Sequence, residues 1–411
     1  MNARSAPRVG PLVASLGEFP ELDVAALLDD PTTRIIVCCG SGGVGKTTTS
    51  AALALRAAER GRRVVVLTID PARRLAQSMG IERLDNVPRP VPGVHAEVGG
   101  SLDAMMLDMK RTFDDVVESQ ASPEKAAQVL ANPFYQALSS SFAGTQEYMA
   151  MEKLGQLYAD AQATGRWDLI VVDTPPSRSA LDFLDAPERL SGFLDGRFIR
   201  LLLVPARGPA KLMTAGLGVV TNALTKVLGA QMLRDVQSFV AALDTLFGGF
   251  RQRAQRTYRL LQAEGTAFLV VAAPEPDALR EAAFFVERLD EERMPLAGLI
   301  VNRANRLPGG RLSPDQATAA AERLDEAEDA AQDAAEGGAG GTTGDDTGRL
   351  TAGLLRLHAD RVRIVARETR LRHRFSTAHP HVPTAVVPAL STDVHDLDGL
   401  RLVADLLTDQ P

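Results

Sequence analysis

The sequence predicts an α/β protein with a doubly wound, mostly parallel sheet and helical insertions. An apolar β-branched run leads into a glycine-rich loop and an alanine-rich helix over residues 34–60. Further short apolar runs, separated by segments of helical character, cover residues 64–69, 167–173, 267–272, 296–301 and 384–387. Continuous apolar runs are typical of parallel strands buried on both faces. Polar residues follow several of these runs directly, as expected at the ligand-binding edge of such a sheet.

The composition is that of an ordinary soluble protein of 411 residues, 45% hydrophobic and 24% charged. We assign an N-terminal tail and lead-in helix to residues 1–30 and one large α/β domain to residues 31–408. The formal net charge of −7 argues against a general nucleic-acid-binding protein. The sequence has neither a signal-peptide pattern nor an apolar run of roughly 18–20 residues. We therefore expect a cytoplasmic protein, at most peripheral to a membrane.

The number of cysteines excludes folds that are stabilised by several disulfides or by a four-cysteine zinc site. The chain contains only Cys38 and Cys39, adjacent on the first predicted strand. This number excludes a disulfide framework and a four-cysteine zinc site. Because neighbouring residues on a strand face opposite sides, we expect both to act as small buried apolar residues.

The glycine-rich loop fits the phosphate-loop pattern, with the sequence Gly40-Ser41-Gly42-Gly43-Val44-Gly45-Lys46-Thr47. Glycine lets the chain curl until successive backbone N–H groups converge on phosphate oxygens, and the next helix directs its positive end at the same anion. We expect Lys46 to reach the β- and γ-phosphates and the Thr47 hydroxyl to ligate Mg²⁺. The alternative is a flexible loop without a ligand, which the strand–loop–helix order makes the weaker interpretation.

Two aspartates follow apolar strands and are predicted to lie at the same edge of the sheet as the loop. Asp70 ends the run over 64–69 and is a candidate to orient the water that attacks the γ-phosphate. Its alternative role is to cap the next helix. Asp173 ends the run over 167–173 and is predicted to hold Mg²⁺ through a water. An incidental aspartate after a strand is the alternative there.

Long segments between the strands predict helical insertions, over about 100–160 and 180–262. In the first, apolar residues repeat at helical spacing from Leu102 and Met105 onward. The second is unusually apolar, and two interpretations remain open. It is either a helical subdomain that packs on itself or a groove that takes an apolar helix from a client protein. A further insertion over about 313–349 begins acidic, with helical character, and becomes glycine-rich, which predicts disorder.

The order of motifs resembles the ArsA-type ATPases, which belong to a class of dimerising ATPases with a deviant phosphate loop. That family includes arsenite-pump ATPases and eukaryotic factors that deliver tail-anchored membrane proteins. The resemblance covers about 33–305 and 350–408. Its markers are the phosphate loop extended to Thr48, the segment Asp70-Pro71-Ala72 and the segment Asp173-Thr174-Pro175-Pro176.

The resemblance implies a phosphate-loop NTPase fold that binds ATP and Mg²⁺ in a nucleotide-sandwich dimer, with helical insertions that move as the dimer opens and closes. It further implies that Asn302 contacts adenine and that the chain passes the base from Pro388 to Leu390. In the wider class, a lysine at the position of Ser41 reaches the partner's phosphates. Its absence leaves two arrangements open, a homodimer or a heterodimer with a paralogue that has the lysine.

These features support one leading function and three alternatives. The leading hypothesis is a soluble Mg-ATP-dependent ATPase whose dimer opens and closes to handle an apolar or membrane-associated client. The first alternative is an energising subunit of a membrane anion transporter. Arsenite itself is an improbable cargo, because no cysteine occurs outside the first strand. The second is a nucleotide-binding pseudo-ATPase that partners an active paralogue. A positioning ATPase for chromosomes or division sites ranks last, because it rarely needs such insertions.

Overall fold

One sheet organises the molecule. A computed structural model describes residues 19–70, 74–95, 99–133, 135–136, 145–175, 252–307, 309, 312–336 and 346–409. Within these residues the eight strands of the sheet are β1 (Ile35–Cys39), β2 (Arg63–Thr68), β3 (Arg89–Pro90), β4 (Ser101–Met106), β5 (Leu169–Asp173), β6 (Thr266–Ala272), β7 (Leu296–Ala304) and β8 (Thr384–Pro388).

The strand order is β3-β4-β2-β5-β1-β6-β7-β8. Every neighbouring pair is parallel except β3 and β4, which are antiparallel. Later strands lie on both sides of β1: β6, β7 and β8 follow in order on one side, and β5 lies between β1 and β2 on the other. The predicted doubly wound, mostly parallel sheet is confirmed.

Helices connect the strands. Their bounds are α1 (Val24–Asp29), α2 (Lys46–Glu59), α3 (Arg74–Ser78), α4 (Met109–Gln120), α5 (Pro123–Leu130), α6 (Thr145–Thr164), α7 (Pro276–Glu291), α8 (Pro314–Glu336), α9 (Asp346–Ala378) and α10 (Leu397–Thr408). Residues 252–261 are helical as well. The predicted lead-in helix is α1, which Asp23 caps by accepting the backbone N–H of Ala26 at 2.8 Å.

The core has a layer on each face of the sheet. Ile35 and Val37 of β1 pack into one layer, together with apolar residues of α4, α6 and α7. Ile36 packs into the other, with α1, α2 and α10. Cys38 and Cys39 fall into opposite layers and are buried, as predicted from the strand period. All five residues of β1 are buried, which explains its continuous apolar sequence.

The helical prediction was wrong at the start of the segment over 100–160. Residues 101–106 form β4, in which Leu102 pairs with Val64 and Met105 with Leu67. Leucine, alanine and methionine favour helices, but pairing with β2 along the whole strand outweighs that weak local preference. Helical structure begins at α4, which Asp108 caps by accepting the backbone N–H of Arg111 at 2.9 Å. The short strand β3 was also missed.

The acidic tract forms a helix where its sequence predicts one. This helix, α8, pairs with the arginine-rich α9, and Glu328 accepts a charged hydrogen bond from Arg349 at 3.2 Å. Asp325 pairs with Arg356 between the same two helices. The glycine-rich part over 337–345 lies outside the described residues, as do residues 176–251 of the predicted second insertion.

None of the described helices combines the length and the apolar character that a bilayer-spanning segment needs.

A pair of glycine substitutions tests the packing at the edge of the sheet. In Gly298→Ala, the added Cβ would lie 2.5 Å from the carbonyl oxygen of Pro383. Because backbone must shift to relieve this contact, we expect the free energy of unfolding to fall by ~1–3 kcal/mol. Gly353→Ala in α9 is the matched control, since its Cβ meets no atom within 4 Å and alanine favours helix. Thermal unfolding of the two variants should show opposite shifts, and equal shifts would contradict the packing.

Candidate functional site

The phosphate loop, residues 40–47, follows β1 at the carboxyl edge of the sheet. Its glycines are needed for conformation and for space. Gly40, Gly43 and Gly45 have φ angles of 145°, 77° and 95°. A Cβ at Gly40 would lie 2.1 Å from the carbonyl oxygen of Val271, and one at Gly45 would lie 2.3 Å from Nδ2 of Asn302. Only glycine therefore fits this curl between β6, β7 and the start of α2.

Lys46 closes the loop from inside. Its Nζ donates to the carbonyl oxygens of Gly40 at 3.0 Å and Ser41 at 2.8 Å, and the residue is only 5% exposed. Burial lowers the pKa of Lys46, while the nearby charge of Asp173 acts to raise it. An anion that reached the loop would meet an ammonium group already held at the right edge of the sheet.

Asp173 joins the ends of three adjacent strands. Its Oδ2 accepts hydrogen bonds from Thr47, in the first turn of the helix that follows β1 and the loop, at 2.7 Å and from Thr68, at the end of β2, at 2.8 Å. Its Oδ1 is buried and has no hydrogen-bond partner. The carboxyl is fully buried, which raises its pKa to about 6, although both hydroxyl donors and Lys46 act to lower it.

This arrangement fits a hydrated magnesium ion. The unpartnered Oδ1 of Asp173 could accept from a metal-bound water, and the neighbouring Thr47 hydroxyl is a hard oxygen ligand. The described residues contain no cluster of three or more His, Cys, Asp or Glu side chains able to hold a metal. The remaining ligands would accordingly come from phosphate oxygens and water, which is the usual manner of magnesium binding.

Asp70 follows β2 at the same edge. Its backbone N–H donates to Oγ1 of Thr68 at 3.2 Å. Its charge acts to raise the pKa values of Lys46 and Asp173, as expected for a carboxylate close to both. Residues 71–73 lie outside the described part of the chain, so the helix-capping alternative and the water-orienting role both stay predictions.

Two side chains at the end of β7 form a brace, which we define as the hydrogen bonds of Asn302 and Arg303 to carbonyl oxygens of the phosphate loop. The sequence did not reveal these contacts. Asn302 donates from Nδ2 to the carbonyl oxygen of Val44 at 2.8 Å, and Arg303 donates from Nη1 to that of Gly43 at 3.1 Å. A register shift between β7 and β8 lies at these two residues, and Arg303 has a φ of 61°. The resemblance singled out Asn302 for another role, contact with adenine, which stays a prediction, and Arg303 was missed. The only signal available was a pair of polar residues that ends an apolar strand.

The other predicted base contacts lie beside this brace. Pro388 ends β8 opposite Ala304, and the N–H of Ala389 donates to the carbonyl oxygen of Ala304 at 2.9 Å. Leu390 is partly buried against the core layer that contains α2. Thr48 lies half-buried in the first turn of α2. The structure thus brings these residues to one edge of the sheet, while their contact with a base stays a prediction.

The two cysteines take no part in this edge. Burial raises the pKa of the Cys38 thiol to about 12 and raises that of Cys39 as well. Both thiols are therefore protonated and inert near neutral pH, in agreement with their predicted packing role.

The site defines the class of protein. A strand, a glycine loop and a helix surround a buried lysine, and a second strand delivers a carboxylate to the first threonine of the helix. Together with the parallel sheet, this geometry is that of a phosphate-loop nucleotide-binding protein. Residues 33–322 match the family model described as "Anion-transporting ATPase", and the chain belongs to this ArsA-type family.

Named relatives agree with the family. The chain is similar to "ATPase GET3C" of Arabidopsis thaliana, with 26% identity over 62% of each protein. It is similar to the "Arsenical pump-driving ATPase" of Acidiphilium multivorum, at 30% identity over 35% of this chain and 24% of the relative. A protein of the same name in Escherichia coli is 31% identical over the same shares. The matches therefore span less than two thirds of these relatives' lengths.

The buried carboxylate makes a prediction about pH. The pKa of Asp173 in the folded protein, about 6, lies above its ordinary value of 3.8. The folded state thus keeps a proton that the unfolded state releases, and stability falls as pH rises through that window. Asp173→Asn removes this penalty and keeps an oxygen that can accept from both threonines. Without nucleotide or Mg²⁺, we expect it to be more stable than the wild type by ~1–3 kcal/mol at neutral pH, and by less near pH 4.5.

Thermal unfolding at a series of pH values measures this difference. Asp277→Asn is the matched control, because Asp277 is 88% exposed and pairs with Arg280 on the same helix. The difference in stability between this control and the wild type should stay the same between pH 4.5 and 7. A constant difference for Asp173→Asn as well would contradict the burial penalty.

Proposed function

We propose that this chain is a Mg²⁺-dependent ATPase that hydrolyses ATP to ADP and phosphate at the phosphate loop. The observation that carries the proposal is the convergence of Lys46, Thr47 and Asp173 at the ends of neighbouring strands. The unpartnered oxygen of Asp173 at that point supports a hydrated cation there. Membership of an ATPase family supports the same reaction.

Each residue has a proposed role in positioning the triphosphate. The loop N–H groups and the N-terminus of α2 hold the phosphates, and Lys46 exchanges its carbonyl acceptors for β- and γ-phosphate oxygens. Thr47 ligates Mg²⁺ directly and Asp173 through a water. When bound, the cation supplies neutralisation of charge on the phosphate oxygens. Asp70 accepts a hydrogen bond from the attacking water and so directs it toward the γ-phosphate.

The nucleotide is proposed to lie at a dimer interface. The base is proposed to lie between Asn302 and the segment from Pro388 to Leu390. In the family class, a lysine in place of Ser41 crosses that interface to offset transition-state charge, and the uncharged Ser41 side chain cannot supply that charge. We therefore propose weak hydrolysis by the homodimer and stronger hydrolysis with a paralogue that carries the lysine. The serine also favours a second candidate function, in which this chain binds nucleotide without hydrolysing it and acts as the partner of an active paralogue.

Client handling is the proposed use of the ATP cycle. The support is an apolar stretch of sequence over 180–262 that interrupts an otherwise regular ATPase domain, together with the similarity to "ATPase GET3C". The name "Arsenical pump-driving ATPase" supports instead an energising subunit of a membrane transporter. In either case, the ATP-bound and ADP-bound states must differ in affinity for the apolar partner, because a ligand with equal affinity for both shifts nothing.

Removing the loop lysine tests the ATPase proposal. We expect Lys46→Ala to lower kcat/KM for Mg-ATP by ~10²–10³-fold, because a preorganised cation on the transferred phosphate is lost. Steady-state phosphate release by the wild type and the variant measures the effect. Lys125→Ala is the matched control, since Lys125 is exposed on α5, away from the sheet edge.

The possible outcomes separate the two candidates. Equal turnover by the wild type and Lys46→Ala would show that the measured hydrolysis arises elsewhere. A wild type that binds Mg-ATP but never hydrolyses it, alone or with its paralogue, would favour the non-hydrolysing partner. Failure to bind Mg-ATP at all would remove both candidates.

Crosslinking tests the client proposal. A photo-reactive amino acid at Met213 or Phe247, both outside the described residues, should form adducts with an apolar segment of another protein in cells. The yield should change with the nucleotide state, and the same label at Asp277, which is exposed and outside both predicted insertions, should give none of these adducts. Copurification with one integral membrane transporter would favour the energising subunit. An adduct yield that does not change with the nucleotide state would contradict both uses of the ATP cycle.

A further inference from the structure

We propose that Arg303 is a positioning residue that holds the phosphate loop in its anion-binding shape from outside. The proposal rests on the proposed function, because it concerns the same nucleotide site. It assigns a role to a side chain that neither the phosphate-loop pattern nor the strand-end aspartates identify. Arg303 contacts the loop through its backbone, at the carbonyl oxygen of Gly43.

The first step concerns the loop carbonyls. A loop binds an anion when its N–H groups converge inward, so its carbonyl oxygens must be held outward. Lys46 contacts the carbonyls of Gly40 and Ser41 from inside the loop, and in the proposed function it releases them to phosphate oxygens. The N–H of Thr49 holds that of Gly45 at 2.9 Å, as the first hydrogen bond of α2. These contacts involve carbonyls at both ends of the loop. The carbonyls of Gly43 and Val44, at its centre, have other partners.

The second step concerns that centre. The carbonyl of Val44 accepts from Asn302, and the carbonyl of Gly43 accepts from Arg303 at 3.1 Å. Gly43 has a φ of 77° and free space around its Cα, so its own packing does not hold it in place. The guanidinium is therefore a side chain from outside the loop that restrains the peptide after Gly43. Its permanent charge also adds a positive field beside the anion site.

The third step concerns the backbone of Arg303. A φ of 61° is unfavourable for any residue with a Cβ, and glycine adopts it without that cost. The register shift in β7 turns the chain at this point, and the turn directs consecutive side chains onto consecutive loop carbonyls. A residue kept in a strained conformation next to a ligand site suggests that its side chain is needed there.

A second arginine provides an internal comparison. Arg293 has a φ of 55° and is also exposed, but it lies in the turn between α7 and the start of β7. Its backbone N–H donates to the carbonyl oxygen of Asp290 at 3.0 Å, as in an ordinary left-handed helix ending. Arg293 and Arg303 thus share conformation and exposure at opposite ends of β7, and only Arg303 contacts the loop.

The experiment compares Arg303→Gly with Arg293→Gly and the wild type. Thermal unfolding and the Kd for Mg-ATP, measured by titration calorimetry, are the two readouts. Both glycine variants should have Tm values close to or above that of the wild type, because backbone strain is relieved. Only Arg303→Gly should bind Mg-ATP more weakly, by about tenfold, since one charge-assisted hydrogen bond to the loop is lost. Arg303→Lys keeps the charge and should recover part of the affinity.

The outcomes distinguish the brace from the wider proposal. If the wild type binds Mg-ATP and the Kd of Arg303→Gly lies within twofold of the wild-type value, the positioning role of Arg303 is overturned and the proposed function stands. If the wild type does not bind Mg-ATP, both are overturned. If Arg303→Gly loses stability and affinity together and Arg303→Lys recovers neither, Arg303 is a purely structural residue and the brace is again overturned.

Discussion

A buried carboxylate at the centre of the sheet is the constraint on which the site depends. Asp173 ends β5, which lies between β2 and β1, and its Oδ2 accepts a hydroxyl hydrogen bond from the chain that follows or ends each neighbour. Thr68 and Cys38 are its register partners on the two sides. The same side chain thus joins three strand ends and presents its second oxygen, unpartnered, toward the position where a cation is proposed.

Such a carboxylate is costly without a ligand. Burial raises its pKa, and the neighbouring Lys46 is itself destabilised as a cation by burial. A magnesium–phosphate pair would satisfy both groups at once, because the metal and its waters supply partners to the carboxylate and the phosphate supplies partners to the ammonium. Ligand binding then stabilises the fold by an amount that grows with the logarithm of the ratio of ligand concentration to Kd. The buried charges thus prepare the site for its proposed ligand at the expense of local stability.

Much of this architecture was predictable, for identifiable reasons. The strands β1, β2, β5, β6 and β7 are buried on both faces, so their sequences are continuous apolar runs that are easy to recognise. The phosphate loop was predictable because its geometry demands glycines at fixed spacing. In contrast, β4 carries helix-favouring residues, and its identity comes from pairing with β2, which no local pattern shows. Arg303 was missed because its role depends on a backbone turn and a contact with a residue 260 positions away.

The phosphate loop and the residues that hold its central carbonyls are far apart in the chain. This separation affects the order in which the parts of the site are synthesised on the ribosome. The loop emerges early in synthesis, yet the residues that hold its central carbonyls outward, Asn302 and Arg303, emerge only after about three quarters of the 411 residues have been made. A nascent chain that stops short of β7 carries the glycine-rich motif without its outer support. Under the proposed function, the outer support for nucleotide binding is complete only once most of the ATPase domain has been synthesised.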